Sequence, residues 1–261
     1  MSDLAGMTVL VTRPAGQAQG LMDKLALQGA APLHFAALEI AEPRDTANLK
    51  ALTTRLAEFQ WAIFISPNAV THAHNLMQGW AQVWPQEVRI AAIGRGSARE
   101  LKRLGFSDVL VPEGRFDSES LLSLEPMKDV AQKAVLIFRG EGGRELLGDT
   151  LKARGADVHY AECYRRVAPQ ADVSVLLRIW ARRGLDAIVL TSVEGLHYFY
   201  DALGQVGRRW FVKTPVVVVG TRLEEACKGL GLEGPFIVAS AADDDALIAA
   251  LISWRRQKNT L

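Results

Sequence analysis

One sequence feature narrows the choice of fold more than any other: a series of segments that recurs at a constant spacing of 126 residues. Val9-Leu10-Val11-Thr12-Arg13 returns as Val135-Leu136-Ile137-Phe138-Arg139. Phe64-Ile65-Ser66-Pro67-Asn68 returns as Leu190-Thr191-Ser192-Val193-Glu194, and Ala92-Ile93-Gly94 as Val218-Val219-Gly220. Between these segments the register holds: Gly16 with Gly142, Leu25 with Leu151, Gly29-Ala30 with Gly155-Ala156, Leu104-Gly105 with Leu230-Gly231, Asp117 with Asp243. Any two α/β stretches share apolar periods. An Arg, a Ser and several Gly in one ungapped register need more than that, so the chain reads as one unit written twice.

Each copy alternates short apolar runs with helical periods. Thr8–Thr12 suits a buried parallel strand, and residues 17–28 place Leu21, Met22, Leu25 and Ala26 at helical spacing before Gly29. Pro32–Phe35, Trp61–Ile65, Arg89–Ile93 and Val109–Val111 read as further strands. Helices follow over 68–77, 97–104 and 118–124, the first opened by Ser66-Pro67, a capping residue and an N1 proline. Alternation of this kind predicts parallel, doubly wound sheets with helices on both faces.

A chain of 261 residues suffices for two ordinary domains, and its 49% hydrophobic content for two cores. Pro-bearing polar links occupy the same place in each copy, at 39–44 and 165–170. If both are crossings, one domain is 1–38 plus 171–261 and the other 45–164. A simple split near residue 126, with 124–132 as the link, is the alternative that the residues leave open.

Composition excludes several classes. A net charge of +1 argues against a general nucleic-acid binder. No apolar run approaches the roughly 20 residues of a membrane span, and the start lacks the pattern of a signal peptide. Cys163 and Cys227 fit a reducing compartment and make no metal-ligand spacing. The expectation is a cytoplasmic protein that works as a monomer, without nucleic acid or membrane.

Ligands of open α/β sheets bind beyond the carboxyl ends of the strands. The turns expected there are Arg13-Pro14, Ser66-Pro67-Asn68, Gly94-Arg95, Arg139-Gly140, Ser192 to Gly195, and Gly220-Thr221-Arg222. Each sets small or basic residues at a helix start, where free N–H groups and the helix dipole favour anions. Any one of them could be an ordinary cap. Six, paired by the repeat, suggest a two-lobed cleft for an extended polyanion. No Walker loop, Gly-x-Ser-x-Gly elbow or metal-binding histidine pattern occurs, and Gly94-Arg95-Gly96 lacks the third glycine of a dinucleotide fingerprint. Tyr160 is expected in the core and Tyr164 at the mouth of the cleft.

The chain resembles the uroporphyrinogen-III synthase family through Val11-Thr12-Arg13-Pro14, Phe64-Ile65-Ser66-Pro67-Asn68-Ala69-Val70, Ala92-Ile93-Gly94, Gly155-Ala156, Tyr164-Arg165-Arg166, Thr191-Ser192 and Val219-Gly220-Thr221. The order and spacing of these short motifs carry the resemblance, which spans essentially the whole chain. It implies two flavodoxin-like domains joined by two linker strands, which favours the crossed arrangement. It implies cyclisation of hydroxymethylbilane to uroporphyrinogen III with loss of water and without metal or cofactor, ring D being inverted through a spiro intermediate, and a transient hand-over of substrate from hydroxymethylbilane synthase. Tyr164 is then the catalytic candidate, assisting the departing hydroxyl. Arg13, Ser66, Asn68, Gly94, Arg95, Arg139, Gly140, Ser192, Gly195, Gly220, Thr221 and Arg222 are candidates for holding the substrate's acid groups. Arg222 and Leu223 stand where some members carry small hydroxyl residues. A non-catalytic, two-lobed binding protein for a small anion is the reading from another class.

Overall fold

The computed structural model describes residues 3–114, 116–169 and 172–258, the side chain of Arg183 excepted. Gln170, the expected end of the second linker, Ala171, the expected start of the returning domain segment, and residues 259–261 lie outside the described residues.

The elements in chain order are β1 (Thr8–Val11), α1 (Ala15–Leu27), β2 (Ala31–His34), β3 (Glu39–Ala41), α2 (Thr46–Thr54), β4 (Trp61–Phe64), α3 (Pro67–Gly79), β5 (Arg89–Ala92), α4 (Arg95–Arg103), β6 (Val109–Leu110), α5 (Ser118–Ser123) and α6 (Glu125–Lys128). Then come β7 (Ala134–Gly140), α7 (Leu146–Ala153), β8 (Asp157–Val167), α8 (Val173–Arg183), β9 (Ala187–Val189), α9 (Val193–Ala202), α10 (Gly204–Phe211), β10 (Val216–Val219), α11 (Gly220–Gly229), β11 (Phe236–Ala239) and α12 (Asp244–Lys258). They form two compact units: Met1–Glu39 with Val167–Leu261, and Ile40–Arg166.

In the first unit the strand order is β2-β1-β9-β10-β11, all neighbours parallel. Numbered within the unit this is 2-1-3-4-5, the doubly wound order of flavodoxin. Successive residues of β1 go to opposite faces: Val9 and Val11 pack with Leu21, Leu25 and Leu247, while Leu10 packs with Phe199 and Phe211. That is the period of two of a strand covered on both sides, and it is why the run is apolar without a break.

The second unit orders its strands β3-β8-β7-β4-β5-β6. Five of them, β8-β7-β4-β5-β6, repeat the order of the first unit with the first two drawn from later in the chain. The registers agree as well. Val9 lies opposite Ala187 in one sheet and Val135 opposite Trp61 in the other, and the two members of each equivalent pair, Val9 with Val135 and Trp61 with Ala187, stand 126 residues apart. Trp61 and Ile63 pack to one face with Leu121 and Leu147, and Ala62 and Phe64 to the other with Phe138 and Leu101.

Both expected linkers contain strand, and the division between the two units falls within each of them, at Glu39/Ile40 and at Arg166/Val167. Glu39–Ala41 is a strand beside β8, and β8 runs on to Val167, so 165–167 are strand. Entering a sheet satisfies backbone groups that a bare link would leave to solvent. Helix α2 has no counterpart in the sequence reading. It is short and polar, buries only Leu49 and Thr53, and begins at Asp45, whose side chain accepts from Asn48 N–H.

Candidate active site

The turns after the strands come from both units. At the carboxyl edge of the second unit's sheet lie Ser66, Asn68, Gly94, Arg95, Arg139, Gly140 and Tyr164. At that of the first lie Arg13, Ser192, Gly195, Gly220, Thr221 and Arg222.

Two serines open helices in the same way. Ser66 Oγ accepts from Ala69 N–H at 3.1 Å to cap α3, with Pro67 at N1. Ser192 Oγ accepts from Gly195 N–H at 3.0 Å to cap α9. A Cβ at Gly195 would press on Ser192 Oγ, at 2.9 Å, with Leu38 and Ala37 in ordinary contact behind it. Gly94 precedes α4, whose first residue, Arg95, is exposed with its guanidinium carbon 4.6 Å from the Phe116 ring centroid. Gly220 adopts φ +72 at the start of α11, a conformation that suits glycine, and Thr221 and Arg222 follow it on the surface.

The two remaining arginines are engaged internally. Arg13 joins the end of β1 to the start of α12: Nη1 meets Asp244 Oδ1 at 2.5 Å and Nη2 donates to Ala242 O at 2.5 Å. Arg139 is 4% exposed. Both its terminal nitrogens donate to Glu145 Oε1 at 3.0 Å, Nε lies 3.8 Å from Glu162, and the guanidinium sits over Tyr160. The Arg139 bond holds the Glu145 carboxyl below the usual carboxylate range. A charge taken out of water is paired, and both guanidinium groups are engaged by carboxylates of their own unit.

Tyr164 departs furthest from expectation. Instead of lying at a mouth it is fully buried in the core of the second unit. The cause is a register shift. Arg139 lies opposite Glu162, but Gly140 lies opposite Tyr164, so β8 carries one extra residue, Cys163, at a bulge. The bulge turns both Cys163 and Tyr164 inward. Gly140 makes room for the ring: a Cβ there would stand 2.7 Å from Tyr164 Cε2 and Cζ. Burial pushes the Cys163 thiol up to about 12, against opposing backbone hydrogen bonds, so it is no nucleophile at neutral pH.

The buried phenol is nonetheless bonded. Its oxygen lies 3.0 Å from Ser66 Oγ and accepts from Arg166 Nη2 at 3.1 Å. The His72 ring on α3 lies 5.7 Å from the Tyr164 ring. Neither Arg166 nor His72 is among the site candidates that the sequence offers. Arg166 was recoverable, since residues two apart on a strand share a face. Tyr160, expected in the core, is only partly buried, and burial followed by the Glu145 carboxylate pushes its hydroxyl up to about 12.

A cavity of about 370 Å³ lies under α3 and α4, lined by Phe64, Met77, Trp84, Leu101 and Phe106. It holds none of the candidate residues, and its apolar wall does not suit a polyanion. Among the described residues no cluster of three His, Cys, Asp or Glu side chains could hold a metal ion, and no helix is long and apolar enough to cross a membrane.

The family description "Uroporphyrinogen-III synthase HemD" matches residues 19–249. This chain belongs to the uroporphyrinogen-III synthase family. Its relatives in the family include the uroporphyrinogen-III synthase of Salmonella typhimurium, 36% identical over 246 residues, covering 94% of this chain and 100% of the relative. That of Escherichia coli is 35% identical with the same coverage. Among solved members, a mutant uroporphyrinogen III synthase of Thermus thermophilus covers 97% of this chain and 100% of its own with a TM-score of 0.64 at 16% identity. The Helicobacter pylori protein covers 95% and 99% with a TM-score of 0.64 at 14% identity. At such identities these two show the family's fold. With the relatives, the family places the chain among the enzymes of porphyrin and heme biosynthesis.

Proposed function

We propose that this protein cyclises linear hydroxymethylbilane to uroporphyrinogen III and releases water. The observation that carries the reading is the match to named synthases across their full length. In finer detail, loss of the terminal hydroxyl leaves an electrophilic azafulvene. The substituted carbon of ring D attacks it to give a spiro intermediate, which fragments and recloses with ring D inverted.

The geometry supports this chemistry. The substrate carries eight carboxylates, and the carboxyl edge of each sheet ends in helix starts whose backbone donors suit them. Ser66, Asn68, Gly94, Arg95 and Gly140 are the proposed contacts on the second unit, and Ser192, Gly195, Gly220, Thr221 and Arg222 those on the first. Arg13 and Arg139 hold these turns in place through Asp244 and Glu145. An inversion depends on the shape in which the chain of rings is held, so positioning outweighs strong acid–base groups. Tyr164 assists departure of the hydroxyl. The test is direct: purified protein given hydroxymethylbilane, without added cofactor, yields the type III isomer. Formation of the spontaneous type I isomer alone would overturn the reading.

A further inference from the structure

Tyr164 has the proton that departure of a hydroxyl requires, yet it is 0% exposed. Ser66, to which it is bonded, is half-buried at the carboxyl edge of the sheet. The direction of the bonds between them follows from counting donors and acceptors.

Arg166 has only donors, so at 3.1 Å it donates to the Tyr164 oxygen. Among the described residues, Ser66 Oγ is the acceptor left within reach of the Tyr164 hydroxyl, at 3.0 Å. If Ser66 donated to Tyr164 instead, the phenolic proton would be buried without an acceptor, which costs more than the bond gains. Tyr164 therefore donates to Ser66. Ser66 Oγ then accepts twice, from Tyr164 and from Ala69 N–H at 3.1 Å. Both its lone pairs are used, and its own hydroxyl proton is left without an acceptor among the described residues.

We propose that Ser66 is the group that hands the proton to the departing hydroxyl, with Tyr164 the buried source behind it and Arg166 the positioning residue behind Tyr164. The proposal rests on the synthase reading. In the step, the carbon–oxygen bond of the substrate's hydroxymethyl group breaks and its electron pair stays with the oxygen, which takes the Ser66 proton and leaves as water. The Tyr164 proton moves to Ser66, and the phenolate so formed faces the Arg166 guanidinium. When ring D regains aromaticity, the proton it sheds returns through Ser66 to Tyr164. Water is the only species released.

Arg166 is held for this task by the strand. It stands two residues after Tyr164 on β8, its guanidinium carbon 5.3 Å from the Tyr164 ring centroid. Gly140 fixes the other side of the ring, so the phenol has one orientation, with its oxygen toward Ser66.

Steady-state kinetics of type III formation tests this. Ser66→Asn keeps an acceptor for Ala69 N–H, and so the cap, but has no proton acidic enough to transfer. It is expected to lower kcat by on the order of 10², with KM within about threefold. Ser66→Thr, which keeps both cap and hydroxyl, is expected to restore kcat. Tyr164→Phe is expected to fall as far as Ser66→Asn, and the double variant no further, as for groups that act as one. Arg166→Met is expected to lower kcat while leaving KM unchanged. If Ser66→Asn keeps wild-type kcat while Tyr164→Phe loses it, Tyr164 reaches the substrate unaided and the relay is wrong. If Tyr164→Phe keeps wild-type kcat, the relay has no source and is equally wrong. If the wild-type protein makes only the type I isomer, the synthase reading itself fails and takes the relay with it.

Discussion

Two tyrosines of β8 lie against glycines: Tyr164 on Gly140, and Tyr160 on Gly148 of α7. A Cβ at Gly148 would stand 1.9 Å from Tyr160 Oη and 2.8 Å from Cζ. Gly148→Ala is therefore expected to cost about 1–3 kcal/mol by overpacking, read as a lowered denaturant midpoint with an unchanged slope. An unchanged midpoint would mean that Tyr160 swings clear. His72 gives a pH dependence. Burial lowers its pKa from 6.5, with Glu42 opposing to a smaller extent, so the folded protein holds it neutral where the unfolded chain begins to protonate. Its contribution to stability is present above 6.5 and is lost as pH falls through the lower folded value. His72→Gln is expected to flatten the fall in urea midpoint below that pH; an unchanged pH profile would show that His72 is not its source. At this scale the sequence shows which residues follow each strand, because Gly, Ser and Pro mark those turns. It does not show that Arg13 meets Asp244 far along the chain, or that a one-residue bulge turns Tyr164 inward. Those depend on packing between segments distant in sequence.

At the scale of elements the strands were legible because buried parallel strands are continuous apolar runs, and their helices because Gly29, Gly105 and Ser66 punctuate them. Helix α2 was not, since two buried residues in nine leave little periodicity. Its stability should lean on its cap. Asp45→Ala is expected to cost about 1 kcal/mol, and Asp45→Asn much less; equal losses would mean that the Asn48 bond contributes nothing. The polar segments at 39–44 and 165–170 read as links because charge and proline suggest exposure, and the division into two units falls within both. A strand edge can carry the same residues, and Glu39–Ala41 beside β8 does so.

At the scale of the molecule, each sheet joins strands far apart in sequence: β1 pairs with β9, some 178 residues on, and β4 with β7. Residues 40–166 nonetheless contain a whole sheet and both of its apolar faces. Expressed alone, that segment is expected to unfold cooperatively with denaturant, whereas residues 1–126, which are one copy of the repeat, are expected to show no such transition. A cooperative transition in 1–126 would mean that the repeat, and not the crossed unit, is what folds. The crossed strand order has a genetic consequence. Cut between β6 and β7, neither half of the gene encodes a finished sheet, since each product would hold strands that the other must flank. Two such half-genes, silent separately, would have to act in trans, and restored synthesis in a cell carrying both would report that their products had met.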